Sequence, residues 1–241
     1  MENHAYADVM TSGQAPYTTG LAGKCGSATD FHAESHPSLP NYIAMTSGST
    51  QGISDDADPS SHHLGVASIF SQTGGNWRAL EDAMGSNCET GNSGTYAVRH
   101  NPAAYYTNIA SECASRDVPL GSSPDISARF TFITPDINND THDTSVKFGD
   151  DWLKGFVPKL LGSAQYRAGK TAIFLTWDED DGGAGNHIAT IVIAPTVTAG
   201  TSASTRFDHY SMLRTTEDLL GISTHLGGAA SAPSMRAAFH F

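Results

Sequence analysis

Three apolar runs, Phe130 to Thr134, Thr171 to Trp177 and Ile188 to Pro195, are rich in β-branched and aromatic residues and show no polar–apolar alternation. A strand reads this way when both of its faces are buried, as in a largely parallel sheet covered by helices. Between the first two runs, Asp151 to Tyr166 places Trp152, Leu153, Phe156, Val157, Leu160 and Leu161 at helical spacing, with Pro158 expected to kink or break the helix. A strand, a helix and a strand in that order predict a right-handed crossover unit. Helices are also predicted over Gly75 to Met84 and Ser211 to Leu220, closed by Gly85 and Gly221 as C-caps. Ser47 to Ser61 is rich in Gly, Ser and Asp and reads as a surface loop. The 241 residues contain no linker, composition shift or internal repeat, so residues 1–241 are expected to form one α/β domain.

The net charge of -12, with only 13 Lys and Arg and no basic cluster, argues against nucleic acid or an anionic membrane surface as a partner. No apolar stretch is long enough to span a bilayer, so no stable membrane insertion is expected. No signal peptide is present in the sequence, yet its high Gly, Ser, Thr and Asn content with few Lys suggests an exported protein. Three cysteines leave the connectivity open. Cys88 and Cys113 are spaced to close a loop by a disulfide, Cys25 would then be the odd one, and no CxxC spacing points to zinc.

In open α/β sheets, ligands bind beyond the carboxyl ends of the strands, and two polar clusters fall there. Asp178, Glu179, Asp180 and Asp181 directly follow the run ending at Trp177. Four successive acids repel one another unless a cation neutralises some of them, which favours a metal site over a solvated acidic turn. Asp136, Asp140, His142 and Asp143 follow the first run and suit metal binding, general acid–base work or an Asx-rich turn. In His36-Pro37-Ser38-Leu39-Pro40-Asn41-Tyr42, Ser38 stands at a helix start, where free N–H groups attract anions. Taken alone, Ser38 reads as a helix cap. His100, His187 and His209 are individually unremarkable, but 11 histidines raise the expectation that several converge.

Glu2-Asn3-His4, Ser38-Leu39-Pro40-Asn41, Pro135 to Asp143 and Trp177-Asp178-Glu179 occur in an order that resembles the phosphoesterase family of acid phosphatases and non-specific phospholipases C. Tyr96 to Pro102 and Phe207 to Asp218 extend the resemblance over nearly the whole chain. The family is similar to the alkaline-phosphatase-like superfamily, which implies a three-layer α/β/α sandwich with a largely parallel sheet. By resemblance Ser38 is the nucleophile, a position usually held by threonine in the phospholipase C branch. Glu2, Asn3, Ser38, Asp178 and Glu179 fall on metal-ligand positions, His142 and His100 on catalytic ones, and Asn41, His100, His142 and His187 on substrate-binding ones. That ligand set is all oxygen and suits one divalent Ca²⁺ or Mg²⁺ ion better than Zn²⁺.

One departure is expected to matter. Relatives carry an apolar strand immediately before the Glu-Asn-His motif, whereas here Glu2 follows only Met1. A sheet apparently lacking that first strand leaves neighbouring backbone groups unpaired and Glu2 and Asn3 less firmly held, unless another segment substitutes.

The resemblance implies metal-dependent hydrolysis of phosphate monoesters through a phosphoserine, in a secreted or periplasmic protein. The alternatives are a phospholipase C-like phosphodiesterase and, from another class, a non-catalytic phosphate- or cation-binding module. The implied partner is a small-molecule or lipid phosphate ester. The oligomeric state is left open.

Overall fold

All three apolar runs form strands, but their pairing divides them between two sheets. A computed structural model describes residues 1–241. In chain order it contains α1 (Tyr6–Met10), α2 (Pro16–Lys24), β1 (Gly26–His32), α3 (Ser38–Ser47), α4 (Ile69–Gln72), β2 (Trp77–Glu81), α5 (Cys113–Arg116) and β3 (Asp117–Pro119). There follow β4 (Phe130–Thr134), α6 (Val146–Leu161), α7 (Ala164–Arg167), β5 (Ile173–Thr176), β6 (His187–Ile193), β7 (Thr201–Ala203), β8 (Phe207–Asp208), α8 (His209–Leu219) and α9 (Arg236–Phe239).

The larger sheet runs β5-β6-β1-β7, with β8 also paired to β1, and the smaller runs β3-β2-β4. The β1–β7, β1–β8, β2–β3 and β2–β4 pairings are parallel, and only β6 runs against its neighbours β1 and β5. β6 buries every residue from Ile188 to Ile193, so both of its faces are covered, as its continuous hydrophobicity requires. Val9 of α1, Leu21 of α2 and Leu153 and Val157 of α6 join the core of this sheet, as do Met45 of α3 and Met212 of α8. A second core packs Leu39 and Ile43 of α3 on Phe70, Trp77, Tyr105 and Tyr106, and so seats α3 against the smaller sheet.

β4 pairs only with β2 and β5 only with β6. Between them lies a cavity of about 770 Å³ lined by Phe130, Phe132, Ile173, Leu175, Trp152 and Phe156. The expected crossover unit from β4 through α6 to β5 therefore does not join paired strands. The half-buried residues of β4 and β5 reflect this gap. At its end the ladder on β5 is continued by Met1, whose amino group donates to Thr176 O (3.2 Å) and whose carbonyl accepts from Asp178 N (3.0 Å). That is the hydrogen-bond pattern of a parallel bridge to Trp177.

The helix expected over Gly75 to Met84 is instead β2. Trp-Arg-Ala-Leu-Glu has good helix propensity, but insertion between β3 and β4 with Trp77, Ala79 and Leu80 buried outweighs a preference worth only tenths of a kcal/mol per residue. α6 begins five residues earlier than its apolar spacing suggested, at the Ser145 cap, and Pro158 lies within it near its C-terminal end. α8 matches its expected span closely and ends before Gly221, which adopts a φ of 68°. Cys88 and Cys113 form a disulfide, and Cys25 is free.

Two buried ionisable groups tie these elements together. Asn101 Nδ2 donates to both carboxylate oxygens of Asp117 at 3.0 Å, and burial pushes Asp117 up to about 7. His209, the first residue of α8, approaches Glu34 Oε2 at 2.6 Å through Nδ1. Burial opposes the charge on His209, but Glu34 prevails and raises its pKa above the ordinary 6.5.

Both shifts have the same sign. A raised Asp117 binds its proton in the folded state where the unfolded chain, near 3.9, has lost it, so its contribution fades from about pH 4 to about 7. The His209 contribution is full below 6.5 and is lost as pH rises through its higher folded value. Urea unfolding at several pH values is expected to show wild type losing stability relative to Asp117→Asn between pH 4 and 7. A difference that is flat or grows with pH contradicts a neutral buried Asp117.

Candidate active site

Glu2 is fully buried, and its backbone is held by two separate segments. Its N–H donates to Asp140 O at 2.7 Å, its carbonyl accepts from Thr141 Oγ1 at 2.7 Å, and Met1 before it is paired with β5. The expected strand support is thus partly replaced by the loop after β4. That loop comes close because α6 presents a glycine. A Cβ at Gly149 would overlap Thr141 Cγ2 and Met1 Cε. Asn3 then turns the chain in the left-handed region, with φ 54°, which asparagine tolerates better than most residues.

Ser38 is the first residue of α3 and is only 2% exposed. Its Oγ donates to Glu2 Oε2 at 2.9 Å and lies 3.3 Å from Glu179 Oε1, so three segments distant in sequence meet at this hydroxyl. Tyr42, one turn further along α3, donates its hydroxyl to Glu2 Oε1. Asp56, from the loop after α3, accepts from Leu39 N at 2.9 Å. The anion site expected at this helix start is therefore already filled by a carboxylate.

Electrostatically the site is a concentration of buried acids. Burial, then the facing Asp178 and Asp140, push the Glu2 carboxyl well above the ordinary range. Burial and then Asp178 push Glu179 up to about 8, and burial pushes Asp140 up to about 7. Both carboxylate oxygens of Asp178 and the side-chain oxygen of Asn3 are buried without a hydrogen-bond partner. Buried acceptors are rarely left so, and hard oxygen atoms in this number suit a divalent cation of the Ca²⁺ or Mg²⁺ kind. Glu2, Asn3, Ser38, Asp178 and Glu179 fit that role.

The remaining sequence candidates separate into distinct positions. His100 is buried against Glu2 Oε2 (3.5 Å) and Asp140 Oδ2 (3.1 Å) and stacks on Tyr42, and burial followed by Arg99 pushes its pKa well down. His142 lies beyond it, with ring centroids 5.9 Å apart, and is anchored through Nδ1 on Asp143 Oδ1 at 2.6 Å. The amide of Asn41 is engaged wholly with the backbone of residues 34–37, accepting from Glu34 N and Ser35 N and donating to Ser35 O and Pro37 O. His187 contacts Tyr6, His32 and Thr29 and none of the residues around Ser38. Asp180 binds the amides of Gly182, Ala184 and Asn186 and shapes its own loop.

Two residues near the site carry no sequence signal of their own. His36 approaches Glu179 Oε2 at 2.7 Å and Asp180 Oδ1 at 3.2 Å, while Arg99 reaches His142 Nε2 at 3.2 Å and lies 3.9 Å from Asp56 Oδ2. Both adjoin motif residues, His36 before Pro37-Ser38 and Arg99 before His100, and adjacency was the one available clue. The mouth is a polar depression of about 290 Å³ lined by Asn3, His36, Glu179, Asp180, Asp181 and Gly182.

The fold has counterparts among solved structures. A solved alkaline phosphatase superfamily protein from Vibrio parahaemolyticus matches the fold with a TM-score of 0.66 at 13% identity, over 99% of this chain and 70% of that one. Residues 7–223 match the phosphoesterase family, and the chain belongs to it. A phosphatidylinositol-3-phosphatase of Mycobacterium tuberculosis is 29% identical over 240 residues, covering 96% of this chain and 78% of the relative. A probable acid phosphatase of Kluyveromyces lactis is 30% identical over 229 residues, 83% of this chain and 53% of the relative. The chain spans about half the length of the fungal acid phosphatases it matches.

Gly149→Ala is expected to displace Thr141 and with it Glu2. Catalytic turnover should fall by roughly tenfold or more while thermal stability changes by no more than the 1–3 kcal/mol typical of local overpacking. Unchanged turnover would show that the Glu2 position tolerates movement of its support.

Proposed function

We propose that the chain hydrolyses phosphate monoesters with Ser38 as nucleophile. The observation that carries this reading is the Ser38 hydroxyl, buried at a helix start within reach of the Glu2 and Glu179 carboxylates and beside oxygen ligands that lack partners. The family and its phosphatase relatives support the reaction class.

In this mechanism Ser38 Oγ attacks phosphorus in line, the Oγ–P bond forms and the ester O–P bond breaks. The hydroxyl proton has carboxylate acceptors at Glu2 and Glu179. Arg99 offers fixed positive charge for the phosphate and donates to Nε2 of His142, whose Nδ1 is held on Asp143, so the pair positions the guanidinium while the leaving alkoxide takes its proton from water. Water then cleaves the phosphoserine and restores Ser38. A divalent cation held by Glu2, Asn3, Ser38, Asp178 and Glu179 supplies Lewis acidity and lowers the Ser38 pKa. His100, sealed between two carboxylates, orients Glu2 rather than meeting substrate. The polar mouth favours a monoester or small headgroup over a substrate whose apolar tail packs beside Ser38. The disulfide and the family resemblance support an oxidising, extracytoplasmic location, and no helix is long and apolar enough to cross a membrane.

Hydrolysis of p-nitrophenyl phosphate is expected to fall on the order of 10³-fold or more in Ser38→Ala. Chelator should abolish it, and Ca²⁺ or Mg²⁺ should restore it. By calorimetry Asp178→Asn should weaken binding of that cation while Asp181→Asn, in the exposed turn, should not. Wild-type turnover in Ser38→Ala removes the nucleophile, and chelator-insensitive turnover removes the cation.

Asp56 provides an independent check. Its carboxylate occupies the α3 start and neighbours Arg99, the position a phosphate would take. Asp56→Asn keeps an acceptor for Leu39 N but removes a repulsion of ~1 kcal/mol, so inorganic phosphate should inhibit about fivefold more tightly. Weaker inhibition would place the phosphate elsewhere.

A further inference from the structure

We propose that Asp30, His32 and His187 form a second cation site, for a transition metal of the Zn²⁺ class, at the edge of the larger sheet where β1 meets β6. It shares no residue with the cluster around Ser38.

Backbone geometry brings the three together. His32 and His187 are direct cross-strand partners in the antiparallel β1–β6 pair, and Asp30 lies two residues before His32 on the same strand. The register of that pair shifts between Ala28 and Phe31, where β1 carries one more residue than β6. Such a bulge re-aims side chains and leaves backbone groups outside the ladder. One donor atom from each of Asp30, His32 and His187 lies within 4.8 Å of the other two.

Both imidazoles are preset for coordination. His32 Nδ1 lies 3.0 Å from Gly185 O and His187 Nε2 lies 2.9 Å from Thr29 O, so each ring donates one N–H to a backbone carbonyl. The opposite nitrogens, His32 Nε2 and His187 Nδ1, are thereby the ones left with lone pairs. Fixing a ligand histidine by a carbonyl on its far nitrogen is the usual outer-shell device of metal sites. His32 Nε2 faces Asp30 Oδ1 at 2.8 Å, a contact that a proton on the imidazole satisfies and that a metal ion bound to both atoms would replace. The planes are fixed too. Tyr6 stacks on His187 at 4.5 Å and 5°, and His187 on His32 at 5.0 Å and 17°.

Two imidazole nitrogens and one carboxylate select Zn²⁺ and its neighbours over Ca²⁺ or Mg²⁺, the reverse of the oxygen set around Ser38. Three protein ligands leave a position for water, and the ion would clamp β1 to β6 and, through Tyr6, to α1.

The test uses the full chain, stripped with chelator and returned to excess Mg²⁺ so that oxygen sites are filled. Zn²⁺ is then titrated by calorimetry and its retention measured after gel filtration. Wild type and Ser38→Ala are expected to bind one Zn²⁺ per chain. His187→Phe, which keeps the aromatic stack but removes the nitrogen, should bind at least about 100-fold more weakly, beyond the usual cost of losing an outer-shell partner. Asp30→Asn keeps both rings and should also weaken binding, and it decides the matter if His187→Phe does not fold. The proposal is overturned if wild type retains no Zn²⁺, if the Asp30 and His187 variants bind as wild type does, or if Ser38→Ala abolishes Zn²⁺ binding.

Discussion

Glu2 and Glu179 meet at one serine hydroxyl, with Asp140 and Asp178 facing Glu2, in a region nearly closed to water, and most of the local architecture answers the cost of placing these acids there. Each buried carboxylate carries a desolvation penalty of several kcal/mol unless protons, donors or cations compensate it. Tyr42 and Ser38 donate to Glu2, His142 N donates to Asp140, and His36 reaches Glu179. Both Asp178 carboxylate oxygens and Asn3 Oδ1 have no hydrogen-bond partner, and hard acceptors of this kind suit a divalent cation.

The divided sheet is the other organising feature. Glu2 sits where β5 ends and the loop after β4 begins, and it is held by hydrogen bonds from both sides of the gap. Its placement depends on Met1 pairing with Trp177 and on the glycine at 149, two contacts far apart in sequence and small in area. The site is therefore mechanically tied to the seam between the sheets. The Asp30, His32 and His187 group instead lies on the β1–β6 pair, at its bulge.

Away from the site, charge is arranged to favour acid conditions. Asp117 folds as a neutral acid and His209 as a cation paired with Glu34, and both arrangements weaken as pH rises. With a net charge of -12, lower pH also reduces general repulsion.

Continuous apolar runs made the strands at 130–134 and 188–193 legible, although only the second is covered on both faces. The helical spacing of Leu153, Phe156, Val157 and Leu160 likewise marked α6. The order of the Glu-Asn-His, Ser-x-Pro-Asn and Trp-Asp-Glu motifs marked Glu2, Ser38 and Glu179 for one site, and the fold brings those side chains into direct contact. Strand direction in β6, the strand at 77–81 and the gap between β4 and β5 were not legible, since each depends on which partner lies alongside. The role of Asp56 and the gathering of Asp30, His32 and His187 were equally hidden. Local sequence determines which residues must be buried and which chemistry they carry, because hydrophobicity and side-chain type belong to each residue. Only the tertiary structure decided which oxygens face one another, since pairing register and loop approach arise from packing between distant segments.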